Sequence, residues 1–326
     1  MKIEIYTASQ DIPQLVDGSP LHSKRMFCLL ESHTEARPIM IAAFDNDNKE
    51  LGHILVVKYR EWRLLPPGFH IWYTIHGQGV YSSECNDKEH LFKLLIDKLF
   101  DLFDFNHTLI DIRNLDDARF AYDTLSDKGF FPRRDRRMYI SLHSKEPEKR
   151  LTRAYKANIR KAQKRGVTFR EVNNTQEALV AIKMMRRYYA SKIGRHLPPT
   201  KYLLHLLADD EGDKKTARLF AVYHKEKMIG CSLCLYDKER VFLAYSCGLR
   251  KTHPLLYPGI MAVWAAITDA HKRGIPHFEF LEPQGHKLRT GYLNFILNFG
   301  CKQVTTLRWR HFKWNIINKI FKAIYV

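Results

Sequence analysis

The sequence predicts an α/β protein built from two tandem copies of one mixed-sheet (α+β) unit. Three observations carry that prediction. Residues 38–59, PIMIAAFDNDNKELGHILVVKY, and 217–239, ARLFAVYHKEKMIGCSLCLYDKE, each read as a strand, a polar turn and a second strand entered through a glycine. The spacing from Ala43 to Gly52 equals that from Ala221 to Gly230. Each hairpin is followed by a helix-like run and then a strand: LFKLLIDKLFDLF and TLIDIRN in the first half, PGIMAVWAAITDAHKRG and HFEFLEP in the second. Each half then offers a short helix stopped by Gly129 or Gly300 and a last strand, in DTLSDKGFFPRRDRRMYISL and YLNFILNFGCKQVTTLRW. The repeat places the domains at 1–145 and 146–326.

Composition supports two folded domains: 326 residues with 45% hydrophobic and 27% charged content suffice for two cores. The charge is divided unequally. Lys and Arg number 18 against 21 Asp and Glu over residues 1–144, and 35 against 14 over 145–326. The second half therefore concentrates polyanions such as nucleic acid, anionic lipid, acidic carrier proteins or phosphorylated substrates. The opening MKIEIYTASQ lacks the basic and apolar regions of a secretory signal, and the apolar run near Ile260 to Ile267 is too short to span a bilayer. A cytoplasmic chain is expected. Cys231 and Cys234, three apart on a predicted strand, face opposite sides and read as reduced core thiols, so no metal site is expected.

In order along the chain, the first helix of the first repeat starts from the acidic NDKEHLF, which repels a phosphate. The first half is therefore expected to be a degenerate copy without the active cleft. Between the repeats, KRLTRAYKANIRKAQKR (149–165) holds eight cations and no acid. At helical spacing Leu151, Tyr155, Ile159 and Ala162 form an apolar stripe, while Arg153, Lys156, Arg160 and Lys164 lie away from it as candidate anion-binding residues. A solvated linker helix is the competing reading. In the second repeat, LLYPGIMAVWAAITDAHKRG starts its helix at Pro258 with Gly259 beside it, an N-terminus suited to a phosphate.

The order of hairpin, helix, strand, helix and strand, twice over and joined by NIRKAQKRGV, resembles the GNAT acyltransferase core in tandem. The chain looks like the FemABX-like branch of that superfamily, the peptidoglycan bridge aminoacyltransferase-like proteins of the bacterial cell envelope. The likeness covers most of the chain and is best from about Arg150 to Gly300. It implies acyl or aminoacyl transfer to an amine, with acyl-CoA, acyl carrier protein or aminoacyl-tRNA as donor substrate and no tightly bound cofactor. It also implies that the basic helix adjoins the groove where a nucleotide-linked donor meets a phosphorylated precursor. Two departures stand out. The usual acetyl-CoA loop is matched only at Gly259, with Leu256 and Met261 at other motif positions, and Ile296 stands where the family's lysine follows an aromatic residue.

In this fold the donor enters between the fourth and fifth strands, here RVFLAYSCGLR and HFEFLEP. Tyr245, Glu279 and Glu282 are the catalytic candidates, either glutamate serving as base. Tyr257, Gly259 and Ile260 are the donor-binding candidates, with Lys287 and Arg289 supplying charge missing at Ile296 and His286 a proton carrier beside them. The alternative function is a non-catalytic basic module binding RNA or an acidic carrier. An open cleft faced by a carboxylate favours catalysis, and a cleft filled by aromatic side chains favours binding alone. Finally, residues 283–326 contain no acid, and NIINKIFKAIY reads as a basic amphipathic helix after Trp309 and Trp314. It either docks on its own domain or contacts the inner face of a membrane peripherally.

Overall fold

A computed structural model describes the chain except residues 33–35, 63–68, 103–106, 116, 191–196, 209–214, 282–289 and 326. The elements follow the predicted order. The first half runs β1 (Lys2–Tyr6), α1 (Lys24–Glu31), β2 (Ala36–Phe44), β3 (Glu50–Trp62), β4 (Phe69–His76), β5 (Val80–Tyr81), α2 (Lys88–Asp101), β6 (His107–Arg113), α3 (Tyr122–Asp127) and β7 (Phe131–Ser141). The second runs α4 (Pro147–Arg150), α5 (Arg153–Lys164), β8 (Thr168–Glu171), α6 (Thr175–Ala190), α7 (Thr200–Ala208), β9 (Ala217–His224), β10 (Lys227–Tyr236) and β11 (Arg240–Gly248). It continues through α8 (Pro258–Lys272), β12 (His277–Phe280), α9 (Thr290–Leu297), β13 (Lys302–Phe312) and α10 (Asn315–Tyr325).

The compact units are Met1–Arg136 with Thr305–Val326, and Arg137–Val304. The sequence places the boundary at 145/146 and leaves β13 and α10 with the second half; strand pairing divides the chain differently. In the first unit the strands run β1-β2-β3-β4-β6-β13, with β5 on β3, and the β4–β6 pair is parallel. In the second they run β8-β9-β10-β11-β12 and end on Tyr139–Ser141 of β7, with β11–β12 parallel. Each half therefore gives the end of its last strand to the other unit.

Buried charge explains this choice of partner. Asp111 of β6 is buried and receives Nε of Arg308 at 2.5 Å and Nε of Arg310 at 3.1 Å, both from β13. Glu279 of β12 is buried at the matching point of the second unit and binds Arg137 of β7, with Arg240 of β11 3.9 Å away. A carboxylate removed from water needs such partners, and a strand lacking the arginines would leave each acid uncompensated.

In the second unit the sheet lies between helices on both faces. Cys231 Sγ on β10 reaches the carbonyl of Ala181 on α6, whereas its neighbour Ser232 donates to the carbonyl of Ala262 on α8 at 2.7 Å. Successive residues of a strand face opposite sides, so α6 and α8 cover opposite faces. Helix α5 packs inside this unit through its stripe: Leu151, Ile159 and Ala162 are buried, and Tyr155 meets Phe299 edge-on at 4.9 Å. Cys231 and Cys234 are buried free thiols. A hydrogen bond with Cys247 and then burial push the Cys231 thiol up, and burial does the same for Cys234. Neither is a nucleophile at neutral pH.

Candidate active site

The candidate site of the second unit lies at the end of the described pairing of its parallel strands; residues 282–289, which follow β12, are outside the described residues. Strands β11 and β12 pair from Arg240 with His277 to Leu243 with Phe280, and Leu281 N donates to Leu243 O at 3.1 Å. Beyond that point β11 continues for five residues, Ala244–Gly248, paired on its β10 side across a bulge at Leu233/Cys234. A bulge bends and twists its strand at this point. Ala244, Tyr245 and Ser246 are all half-buried, breaking the buried run of Val241–Leu243.

Among the described residues, a tyrosine meets the main chain of β11 here. Tyr189 of α6, itself buried, donates its hydroxyl to Ser246 O and accepts from Ser246 N, both at 3.1 Å. Its ring meets Tyr245 edge-on, centroids 5.6 Å apart. Sequence reading missed Tyr189; the paired tyrosines of MMRRYYA at the end of α6 were its only signal. Tyr245 thus lies on β11 just past its described pairing with β12.

The N-terminus of α8 lies against the same strand end. A Cβ on Gly248 would sit 2.3 Å from Gly259 N, and one on Gly230 would sit 2.8 Å from Pro258 O. These two glycines allow the backbone of the helix to rest on the sheet. Close approach thus falls to Gly230 and Gly248, because a Cβ on Gly259 itself would meet nothing. Tyr257 precedes the helix in the left-handed region at φ 49°, and no side chain caps the first turn, which also holds no acid. A 15-residue helix whose first N–H groups lack a side-chain partner attracts an anion. Ile260 is buried in the core, so only its main chain can serve a donor.

The basic face of α5 is partly neutralised. Glu148, just before the helix, lies 3.0 Å from Arg160 and 3.5 Å from Lys156. The hydrogen bond from Arg160 is the main reason its carboxyl is held below the usual carboxylate range. Arg153 and Lys164 are exposed. Arg165 donates to Leu255 O at 2.6 Å, tying the end of α5 to the 3₁₀ turn Pro254–Leu256 that leads into α8.

Glu279 pairs in register with Phe242 of β11. It is buried on β12 between two arginines, so its lone pairs are committed, and it matches Asp111 of the first unit rather than a free base. Glu282, His286, Lys287 and Arg289 lie outside the described residues. Ile296 is fully buried among the core residues of the second unit, which accounts for an apolar side chain there.

The parallel β11–β12 pair and the helix N-terminus resting on the end of β11 are the parts compared with known proteins. Residues 149–287 match the family model described as Acetyltransferase (GNAT) domain. No curated protein sequence matches it. Among solved structures it is similar to FemX, at 12% identity and TM-score 0.70, covering 99% of this chain and 100% of the other. It is also similar to L-PGS from Bacillus licheniformis, at 10% identity and TM-score 0.56, covering 92% of each chain. A tandem GNAT protein from the clavulanic acid biosynthesis pathway matches at 7% identity and TM-score 0.52, over 95% of this chain and 98% of the other. These similarities establish a tandem GNAT fold. Among the described residues no helix is long and apolar enough to cross a membrane.

Proposed function

We propose that the second unit moves an acyl or aminoacyl group from an activated, phosphate-bearing donor to an amine on a lipid or cell-envelope precursor. The observation that carries this reading is the meeting, at one strand end, of the β11 edge at Ser246 and the uncapped N-terminus of α8. The helix amides suit the donor's phosphates, and the strand edge suits the polar groups that lead to its carbonyl. Arg153 and Lys164 extend the positive field. A neutral amine then attacks the carbonyl carbon, the developing oxyanion takes main-chain hydrogen bonds, and the bond to the leaving group breaks as that group is protonated. With Glu279 engaged by arginines, Glu282 is the carboxylate assigned to the amine proton, and Tyr245 lines the approach.

Acyl-CoA, acyl carrier protein and aminoacyl-tRNA share the required phosphates, and each is a substrate rather than a resident cofactor. FemX and the putative lysylphosphatidylglycerol synthetase of Agrobacterium fabrum, which shares the fold at TM-score 0.54 and 10% identity, support an aminoacyl donor; the GNAT family match supports acyl-CoA. Native mass spectrometry of the purified chain with each donor separates them. The bound donor should then turn over with a primary amine, and Glu282→Gln should lower that turnover about 10²-fold while leaving donor affinity unchanged. Donor binding mapped to Tyr73–Val80 of the first unit would overturn the assignment. Unaltered turnover in Glu282→Gln would remove the carboxylate.

A further inference from the structure

Helix α10 carries more apolar surface than its docking consumes. Its inner side is fixed within the first unit. Asn318 is buried, donates to Gly129 O at 2.6 Å and accepts from Phe312 N at 3.1 Å. Phe321 stacks on Phe312 and Phe131 at centroid distances of 4.9 and 6.4 Å. That anchorage leaves Ile316, Ile320 and Ile324 outward, exposed at 76%, 54% and 66%, with Trp314 exposed just before them. At about 100° per residue the three isoleucines fall within one arc of about 80°. Lys319 and Lys322, both exposed, follow on the side of that arc away from Phe321.

The two expectations for this helix are therefore compatible: it docks through one part of its apolar arc and presents the rest. A row of three exposed isoleucines costs solvation free energy in a monomer, which marks it as an interaction surface. Its border identifies the partner. The flanking side chains are lysines, an indole stands at the start, and no acidic residue occurs from 283 to 326. An apolar ridge edged with ammonium groups is complementary to acyl chains under anionic headgroups.

We propose that α10 docks the protein on the surface of a bilayer containing anionic lipid. Ile316, Ile320 and Ile324 enter the boundary between headgroups and chains, Lys319 and Lys322 pair with lipid phosphates, and Trp314 sits at the interface. This inference rests on α10 alone, and its test reads binding rather than transfer, so it fails or stands independently of the proposed activity.

The test is sedimentation of the whole chain with vesicles of phosphatidylcholine alone or with about one-third phosphatidylglycerol. The wild type should sediment with the mixed vesicles and remain in solution with the neutral ones. The variant Ile316→Asn, Ile320→Asn, Ile324→Asn keeps Asn318 and Phe321, so its thermal transition should be unchanged while its partition falls about tenfold or more. Should it fail to fold, Trp314 provides a second measurement: its emission should shift to the blue on mixed vesicles in the wild type, and the shift should be absent in Lys319→Glu, Lys322→Glu. Equal sedimentation of wild type and triple variant, or none of the wild type, would overturn the proposal. So would concentration-dependent dimerisation that the triple variant abolishes, because a second copy would then cover the ridge.

Discussion

The two units share a plan and differ around one strand end and the helix beside it. In the first, β4 and β6 pair from Ile71 with His107 to His76 with Arg113, and Gly77 N donates to Arg113 O at 2.8 Å, so the strands stay joined to their ends. In the second, β11 runs past the last described pair with β12 and bends at a bulge. The corresponding helices differ in the same sense. Asp87 caps α2 by accepting from His90 N, with Glu89 in the first turn, whereas α8 has neither cap nor acid. Gly52, the counterpart of Gly230, makes room for the strand β5 at Val80 and Tyr81 rather than for a helix N-terminus. Charge follows: 22 basic against 21 acidic side chains in the first unit, 31 against 14 in the second. One copy of the repeat caps its helix and carries balanced charge, and the other leaves its helix N-terminus without a side-chain cap and carries the excess of basic residues.

The sharpest way to break this comparison is to add one methyl group to a closely packed glycine in each unit. Gly248→Ala puts a Cβ 2.3 Å from the main chain of α8, so the helix must move. Turnover should fall about 10²-fold or more, since displacements of about 1 Å cost that much in positioned sites. Gly52→Ala meets Val80 O at 2.7 Å and should cost about 1–3 kcal/mol of stability with donor affinity retained. Urea unfolding and a donor titration of both variants decide it; equal effects on affinity would mean that the two units do not differ in function.

A second pair tests what the units have in common. Asp111→Asn leaves the buried Arg308 and the half-buried Arg310 without their carboxylate, Glu279→Gln does the same to the half-buried Arg137 and Arg240, and each should cost about 3–5 kcal/mol, seen as lower urea midpoints. If Glu279→Gln instead abolished turnover at unchanged stability, Glu279 would be a base after all and the likeness to Asp111 superficial.

The smallest effect concerns the basic helix. Glu148→Gln removes the one carboxylate bound to Lys156 and Arg160 at an exposed site, so stability should change by less than about 1 kcal/mol. Donor affinity should rise at low salt and match the wild type in high salt, because freed surface cations are screened within about 10 Å at 0.1 M. An affinity that stays the same at low salt would make α5 a packing element only.

The elements were legible because hydrophobic periodicity and glycine punctuation are local. The stripe of α5, the repeat at Gly52 and Gly230 and the start of α8 at Pro258 all follow from spacing. The role of Glu148 was hidden one residue outside the basic run, because an ion pair across a bend depends on where two side chains end. Tyr189 was hidden for a similar reason: nothing in MMRRYYA says that a phenol will bridge the N–H and C=O of Ser246, 57 residues away.

What the sequence by itself determined is the inventory: two α/β repeats, a neutral half and a basic half, a capped helix in one and an open helix in the other, and a last helix with an apolar arc edged by lysines. Only the tertiary structure decided the partners. Strand patterning says which residues face a core and leaves open which edge a strand joins, since main-chain hydrogen bonds are the same for every neighbour. The choice fell to buried charge, with Asp111 taking the arginines of β13 and Glu279 that of β7, and to the phenol of Tyr189 that takes the N–H and C=O of Ser246. The same holds for α10, whose apolar arc is a sequence property, while the part left for solvent was fixed by where Asn318 and Phe321 found their places.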